Sequence, residues 1–194
     1  MTAQASDQVL HQGKRFALAL FSDDGLFSPS KYGYNPVMAS TACYRGYLSE
    51  YEIKNGSLFL KNFYISNRES FWPFSKKKKP PILNGIKAEE SDMNFCGDWV
   101  FRNVHLPVKY TGGLILAREF IESLYIHIGF QSPWKYEEVI EILFDDGQVI
   151  SENDLSSQIA YIRELITSET VGNGFNKADI YSLLRETFHH NYTK

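Results

Sequence analysis

The clearest pattern in the chain is an alternation of apolar and polar residues on both sides of Asn55-Gly56. An Asn-Gly pair tolerates the positive φ angles of a two-residue turn, so residues 46–65 are predicted to form a β-hairpin. If these two residues make the turn, Glu50 faces Lys61. This register predicts a cross-strand ion pair between them on the solvent side of the hairpin.

The same register divides the hairpin into two faces. The face predicted to pack in the core carries Tyr47, Ser49, Tyr51, Ile53, Leu58, Leu60, Asn62 and Tyr64. The solvent-side face carries Leu48, Glu50, Glu52, Lys54, Ser57, Phe59, Lys61 and Phe63. Phe59 and Phe63 are therefore expected to be accessible to a partner.

Further strands and two helices follow from the rest of the pattern. The segments with strand character are residues 14–21, 97–106, 113–122, 124–130, 136–144 and 148–150. Beyond Ser151, apolar residues recur at helical spacing, which predicts one helix over residues 155–168 and a second after Asn176. This order predicts an α+β fold, with a mostly antiparallel sheet of hairpins followed by two C-terminal helices packed on one side.

The domain boundaries follow from composition along the chain. Of the 194 residues, 43% are hydrophobic, so a real core is expected, and residues 14–190 are predicted to form a single domain. Residues 1–13 are predicted to be a flexible N-terminal tail. Residues 67–85 contain four consecutive lysines followed by two prolines, which predicts a mobile surface loop.

Charge and cysteine content exclude several classes of partner and site. The net charge of −3 provides no strong positive field, so nucleic acid is an unlikely partner. Cys43 and Cys96 lack zinc-site spacing and are too few for a disulfide framework, so both are predicted to be buried thiols. No secretory signal or membrane span is recognised, and the expected location is the cytoplasm, without membrane contact.

No motif of a nucleotide-binding, metalloprotease, serine-hydrolase or redox site occurs, so no cofactor or metal site is predicted. His105 and His127 alternate with apolar neighbours and could meet on adjacent strands. Together with Asp98 or Glu122 they would form an acid–base site or half of a metal site. The competing interpretation, ordinary hydrogen-bonded histidines, is preferred, and the protein is expected not to be an enzyme.

Aromatic residues close to arginine are typical of interface centres. The residues predicted to bind a partner are Arg45, Glu50, Glu52, Phe59, Phe63, Trp72 and Phe74. Each of them separately could instead close a sheet edge, but as a group they favour a binding surface.

Residues 41–60 carry a recognisable sequence pattern. The unit Tyr44-Arg45-Gly46-Tyr47 precedes the hairpin segment Tyr51-Glu52-Ile53-Lys54-Asn55-Gly56-Ser57-Leu58-Phe59-Leu60. It resembles uncharacterised bacterial proteins whose hairpin reads W-E-I-x-[DN]-G-x-L-[YF]-L, with Tyr51 here in place of Trp. The resemblance implies a bacterial source. Small acidic proteins of this kind include many that resemble immunity proteins, which are single domains that bind and block one toxin.

Three functional hypotheses follow. The first is an immunity-type protein that binds and occludes a bacterial toxin, with a basic toxin domain suiting its acidic charge. The alternative is a small hydrolase or transferase with a site around His105, His127 and Asp98. A third is single-stranded nucleic acid binding through residues 71–79, where aromatic side chains precede the lysines.

Overall fold

The computed structural model describes residues 2–22, 26–69, 75–93, 95–169 and 177–192. The strands of this part of the chain are β1 (Gln8–His11), β2 (Lys14–Phe21), β3 (Tyr47–Lys54), β4 (Ser57–Ile65), β5 (Glu89–Glu90), β6 (Trp99–Phe101), β7 (Leu106–Pro107), β8 (Gly112–Phe120), β9 (Tyr136–Asp145) and β10 (Gln148–Asp154). Two helices follow, α1 (Ser156–Glu169) and the shorter α2 (Lys177–Thr187). The predicted α+β class and the order of strands before helices are confirmed.

The strands form one large sheet in the order β10-β9-β8-β2-β1-β3-β4-β6-β5, with β7 also paired to β4. Every pair of neighbours is antiparallel except β1 and β3, which are parallel. The sheet curls until β10 meets β4, where Gln148 pairs with Ser57. Leu58 and Val149 donate backbone hydrogen bonds across this junction, at 2.9 and 2.7 Å. The curl encloses the main hydrophobic core.

The N-terminal segment differs from its prediction. Residues 8–11, within the predicted flexible tail 1–13, form β1 between β2 and β3. Val9 is fully buried there. A strand of four residues leaves too short an alternation to be recognised in the sequence, and its stability depends on neighbours that are distant in the chain. The tail prediction is therefore wrong for this segment.

The β3–β4 hairpin is confirmed, but its register is not uniform. Tyr51 faces Leu60 as predicted, whereas Glu50 faces Asn62. Lys61 is the extra residue of a β-bulge, which leaves two residues on β4 opposite one on β3. Beyond the bulge, every side chain of β4 lies on the opposite face from the one that an unbroken register predicts.

Two predictions about the hairpin are corrected by this bulge. Phe63, expected on the solvent side, is fully buried in the main core. Tyr64, expected in the main core, lies on the other side of the sheet in a smaller cluster with Leu48. The predicted pair of Glu50 with Lys61 is replaced by an ion pair of Lys61 with Glu52 at 2.8 Å.

Three other sequence predictions are resolved in different ways. The β9–β10 hairpin and α1 are confirmed. Residues 97–106 are not one strand but contain β6 and the start of β7, because Asn103 and His105 adopt positive φ angles of 53° and 48° that interrupt the ladder. Residues 124–130, predicted as a strand, form a loop after a 3₁₀ helix at Glu122–Leu124.

Within the described part of the chain, no helix is long and apolar enough to cross a membrane.

The two cysteines are not free thiols as predicted. Cys43 and Cys96 form a disulfide, with Cα atoms 5.2 Å apart. They are separated by 53 residues in sequence. No spacing rule reveals a contact of this kind, because it depends on how two loops fold against the sheet.

Helices α1 and α2 cover the outer face of β8 and β9. The buried residues of this second core are Ile115, Ala117, Tyr136, Val139, Leu155, Ile159, Ile162, Ile166, Leu184, Phe188 and Tyr192. The apolar residues of α1 recur at the helical spacing predicted from the sequence. The helices therefore pack on one side of the sheet, as expected.

A buried carboxylate ties the C-terminal segment to this layer. Glu141 of β9 is fully buried. It accepts hydrogen bonds from the backbone N–H groups of His189 and His190, at 3.0 and 3.1 Å, and from the hydroxyl of Tyr192, at 3.1 Å. The Nδ1 atom of His189 lies 2.7 Å from the same carboxylate. A buried carboxylate is stable only when such partners satisfy it.

We expect Glu141→Ala to lower the free energy of unfolding by about 3–5 kcal/mol, because several buried donors lose their acceptor. The control is Glu137→Ala on the same strand, where the carboxylate is exposed and pairs with Arg163 at 2.9 Å. The free energy of unfolding of this control should fall by no more than about 1 kcal/mol. Urea denaturation measures both, and equal losses for the two variants would contradict the anchoring role of Glu141.

Candidate functional site

The two candidate catalytic histidines do not meet. His105 is exposed and lies beside the turn of the β3–β4 hairpin, near Phe59. His127 is exposed in the loop that follows β8, with its ring 4.7 Å from that of Tyr125. His105 lies near the start of β8, and His127 lies beyond its end. At roughly 3.3 Å per residue this strand is about 25 Å long, so its length separates the two histidines.

Asp98, the third candidate, is committed to a structural ion pair. It is buried, and its carboxylate accepts a hydrogen bond from Nε of Arg68 at 2.6 Å and another from Nη2 of the same side chain. Lys77 lies 3.8 Å away. These contacts attach residues 68 and 77 to the sheet. Within the described residues, no group of three or more His, Cys, Asp or Glu side chains could hold a metal ion.

The acidic residues predicted to bind a partner are already paired. Glu50 is buried and accepts hydrogen bonds from Arg15 at 2.8 Å and from Asn62 at 2.6 Å. Glu52 pairs with Lys61 at 2.8 Å. Opposite charges that neutralise each other within the chain offer little net field to a partner, so this face is not an unpaired acidic surface.

The aromatic residues predicted for the same role are distributed differently. Phe59 is half-buried and Phe63 is fully buried. Trp72 and Phe74 lie outside the described residues. The structure therefore brings together only part of the predicted binding set, and Arg45 is the member that borders an exposed apolar surface.

That surface is a cluster that we call the aromatic patch. Its members are Tyr44, Tyr125, Ile126, Ile128 and Phe130, which are between 41% and 70% exposed. They make up five of the ten large apolar side chains that are exposed in the described residues. Single exposed apolar residues are ordinary, whereas a cluster of this kind is typical of an interaction site.

The loop that carries most of the patch is held from within. The side chain of Gln131 is buried and donates a hydrogen bond to the backbone oxygen of Ile126 at 2.8 Å. Its own oxygen accepts a hydrogen bond from Nζ of Lys135 at 2.9 Å. Burial lowers the pKa of Lys135. These polar groups face inward, so the loop presents its apolar residues outward.

The N-terminal segment joins this loop to Tyr44. The backbone N–H of Gln4 donates to the carbonyl of Gly129 at 2.9 Å. The side chain of Gln4 donates to the carbonyl of Thr41 at 2.8 Å and accepts from the N–H of Tyr44 at 3.0 Å. One residue thus bridges two distant segments and holds the backbone of Tyr44 close to that of Gly129.

Arg45 lies at the border of the patch and is fixed by a buried ion pair. Both of its terminal nitrogens donate to Asp7, and its Nε donates to the carbonyl of Tyr47 at 3.0 Å. Asp7 also accepts a hydrogen bond from the N–H of Ser49 at 2.6 Å. Burial raises the pKa of Asp7, while the charge and hydrogen bonds of Arg45 oppose that shift.

A cavity of about 360 Å³ opens beside Arg45. Its lining residues are Asp7, Leu18, Ala19, Leu20, Phe21, Arg45, Tyr47 and Phe130. The guanidinium of Arg45 lies 4.7 Å from the ring centre of Tyr47 and 6.0 Å from that of Phe130. A concave, mostly apolar cavity with one fixed cation suits an apolar side chain contributed by a partner.

The sequence gives only a weak signal for this site. Apolar and polar residues alternate along residues 124–130, which predicts a strand. In the structure, however, Gly129 takes a positive φ of 62°. Its single strand-type contact is an isolated bridge to Ala3. Gly129 followed by Ser132-Pro133 is the signal that could have indicated a loop.

Comparisons with protein-family models, with curated proteins and with solved structures find no match for this chain. Its function is therefore inferred from the chemistry of the aromatic patch, Arg45 and the adjoining cavity.

We expect Arg45→Ala to lower the free energy of unfolding by about 3–5 kcal/mol, because Asp7 is left buried without its cation. Adding Asp7→Asn should recover part of this loss, since the unpaired charge is removed. Arg102→Ala is the control, because it breaks an exposed pair with Asp92 and should cost no more than about 1 kcal/mol. If the losses of unfolding free energy in Asp7→Asn and in Arg45→Ala simply add in the double variant, the two residues are not a coupled pair.

Proposed function

We propose that this chain is an immunity-type protein that neutralises a bacterial toxin by binding and occluding it through the aromatic patch. The observation that carries the proposal is the presence of five exposed apolar side chains on two segments that Gln4 joins, with the ring of Phe130 6.0 Å from the fixed guanidinium of Arg45. Tyrosine and arginine are enriched among the residues that dominate binding energy at protein interfaces.

The internal support of the patch strengthens this proposal. The hydrogen bonds of Gln4 and Gln131 hold the loop and Tyr44 in place before any partner arrives. A surface that is already ordered loses less conformational entropy on binding, so more of the contact energy appears as affinity. An inhibitor that must hold its target tightly benefits from this property.

Binding is favoured over catalysis by the positions of the polar residues. The alternative, a hydrolase or transferase, requires His105, His127 and Asp98 to act together. The two histidines lie near opposite ends of β8, and Asp98 is bound by Arg68. No other observation on the described residues favours that alternative.

Charge and location supply weaker arguments about the partner. The net charge of −3 suits a basic toxin domain, because opposite charges accelerate association over long range. Glu50 and Glu52 are paired within the chain, so they add little to that field or to direct contacts. The disulfide favours an oxidising compartment for the encounter.

The proposal is tested by co-expressing the chain with a toxin encoded beside its gene. The wild-type chain should protect cells and co-purify with the toxin. The triple variant Tyr125→Ser, Ile128→Ser and Phe130→Ser should bind at least about 100-fold more weakly, because apolar anchors of this type often contribute 2 kcal/mol or more each. Calorimetry measures the affinity, and growth assays measure protection.

The matched control is Tyr161→Ser together with Ile150→Ser, since these side chains are 63% and 65% exposed on other parts of the chain. The control should bind like the wild type. If the triple variant also binds like the wild type, the patch is not the interface. If the wild-type chain neither binds nor protects against a neighbouring toxin, the immunity function is wrong.

A further inference from the structure

The Cys43–Cys96 disulfide lies next to the aromatic patch. Cys43 directly precedes Tyr44, the most exposed member of the patch at 70%. Cys96 directly follows Phe95, which is 45% exposed. The hydroxyl of Ser40 donates to the carbonyl of Phe95 at 2.7 Å, so the two disulfide-linked loops are also in direct contact.

Neither of these loops belongs to a strand, so the sheet ladder alone does not fix them. The N–H groups of Cys43 and Cys96 each donate to a carbonyl three residues earlier in their own loop, at 3.1 and 3.2 Å. The disulfide is the covalent connection between the loops. It therefore restricts where the backbone of Tyr44 can lie relative to the rest of the sheet.

This restriction extends to the remainder of the patch through the N-terminal segment. Ala5 donates a backbone hydrogen bond to Ala42 at 2.8 Å, and Gln4 contacts both Thr41 and Tyr44. Gln4 also donates to Gly129 in the loop that carries Ile128 and Phe130. The chain of contacts runs from the disulfide to Tyr44 and to the backbone of Gly129, which lies between Ile128 and Phe130.

The disulfide is shielded from solvent. Cys43 is 3% exposed and Cys96 is not exposed, and they pack with Leu48, Tyr64 and Val100 in the smaller cluster. A buried disulfide is poorly accessible to thiolates, which must attack a sulfur atom directly. Such a bond is structural rather than one that opens and closes during function.

We infer that this disulfide staples the aromatic patch, so that the chain binds its partner in the oxidised form and works in an oxidising compartment such as a periplasm or the cell exterior. Persistent disulfides are characteristic of those compartments and are rare in the cytosol. The location revises the cytoplasmic expectation from the sequence. The part of the inference that concerns binding rests on the proposed function, whereas the stapling and the compartment do not.

The compartment is tested first, without any partner. Cells of the native host are quenched in acid, and the denatured chain is alkylated with a maleimide before and after reduction. Mass spectrometry should show no modified cysteine before reduction and two afterwards. Alkylation of both cysteines before reduction would overturn the inferred compartment.

Stapling is tested on the purified full chain by hydrogen exchange, comparing the oxidised protein with the variant Cys43→Ala, Cys96→Ala. Amides of residues 41–46 and 125–130 should exchange at least about tenfold faster in the variant, while those of β8 and β9 remain protected. The melting temperature should fall by about 10 °C, because a loop of this length is no longer closed. Unchanged exchange in both segments would overturn the stapling.

If the variant does not fold, wild-type chain that has been reduced in denaturant and refolded in the presence of reductant replaces it in the same comparison. Partner binding is measured last, against the toxin identified by co-purification, and should weaken at least tenfold in the variant. Equal affinity would overturn the oxidation requirement. A chain that has no partner but shows the expected alkylation and exchange refutes the proposed function while leaving the stapling intact.

Discussion

The backbone hydrogen bonds of β1 are the constraint on which the rest of the structure depends. In the strand order, β2, β8, β9 and β10 lie on one side of β1, and β3, β4, β5 and β6 lie on the other. Apart from the junction of Gln148 with Ser57, β1 is the strand that joins these two groups. It is antiparallel to β2, its hairpin partner, and parallel to β3, and this is the one parallel pair among the described strands.

The aromatic patch depends on the residues just before this strand. Asp7 lies immediately before β1 and fixes Arg45 through a buried ion pair. Gln4 joins the two segments that carry the patch. The short N-terminal segment therefore both joins the two groups of strands and positions the aromatic patch. A change in its pairing would disturb both.

The parts of this architecture that the sequence predicts are those whose signal is local. The turn at Asn55-Gly56 and the helical spacing from Leu155 onward depend on neighbouring residues, and both predictions are confirmed. The bulge at Lys61 cannot be predicted in the same way, because it arises where β4 must also pair with β6 and β7. One extra residue then moved Phe63 from the predicted surface into the core.

The same limit applies to the candidate site. Arg45, predicted to bind a partner, lies beside the rings of Tyr47 and Phe130. By contrast, the loop around Ile128 was predicted as a strand and the first thirteen residues as a tail. Both errors concern segments held by long-range contacts, such as those of Gln4 with Gly129 and Tyr44. The disulfide belongs to this class, since 53 residues separate its cysteines. The expected meeting of His105 with His127 is wrong for the converse reason, because similar sequence surroundings do not place two histidines on adjacent strands.

The distribution of buried charge explains why the proposed function relies on exposed apolar side chains. The buried carboxylates of Asp7, Asp98 and Glu141 each accept several hydrogen bonds from groups that hold a segment of the chain in place. A carboxylate satisfied in this way is poorly suited to accept a proton or bind a ligand without releasing its structural partners. The aromatic patch has no comparable commitment, because about half of each of its side chains remains in water. Burying that surface against a partner gains free energy without breaking any contact that the fold requires.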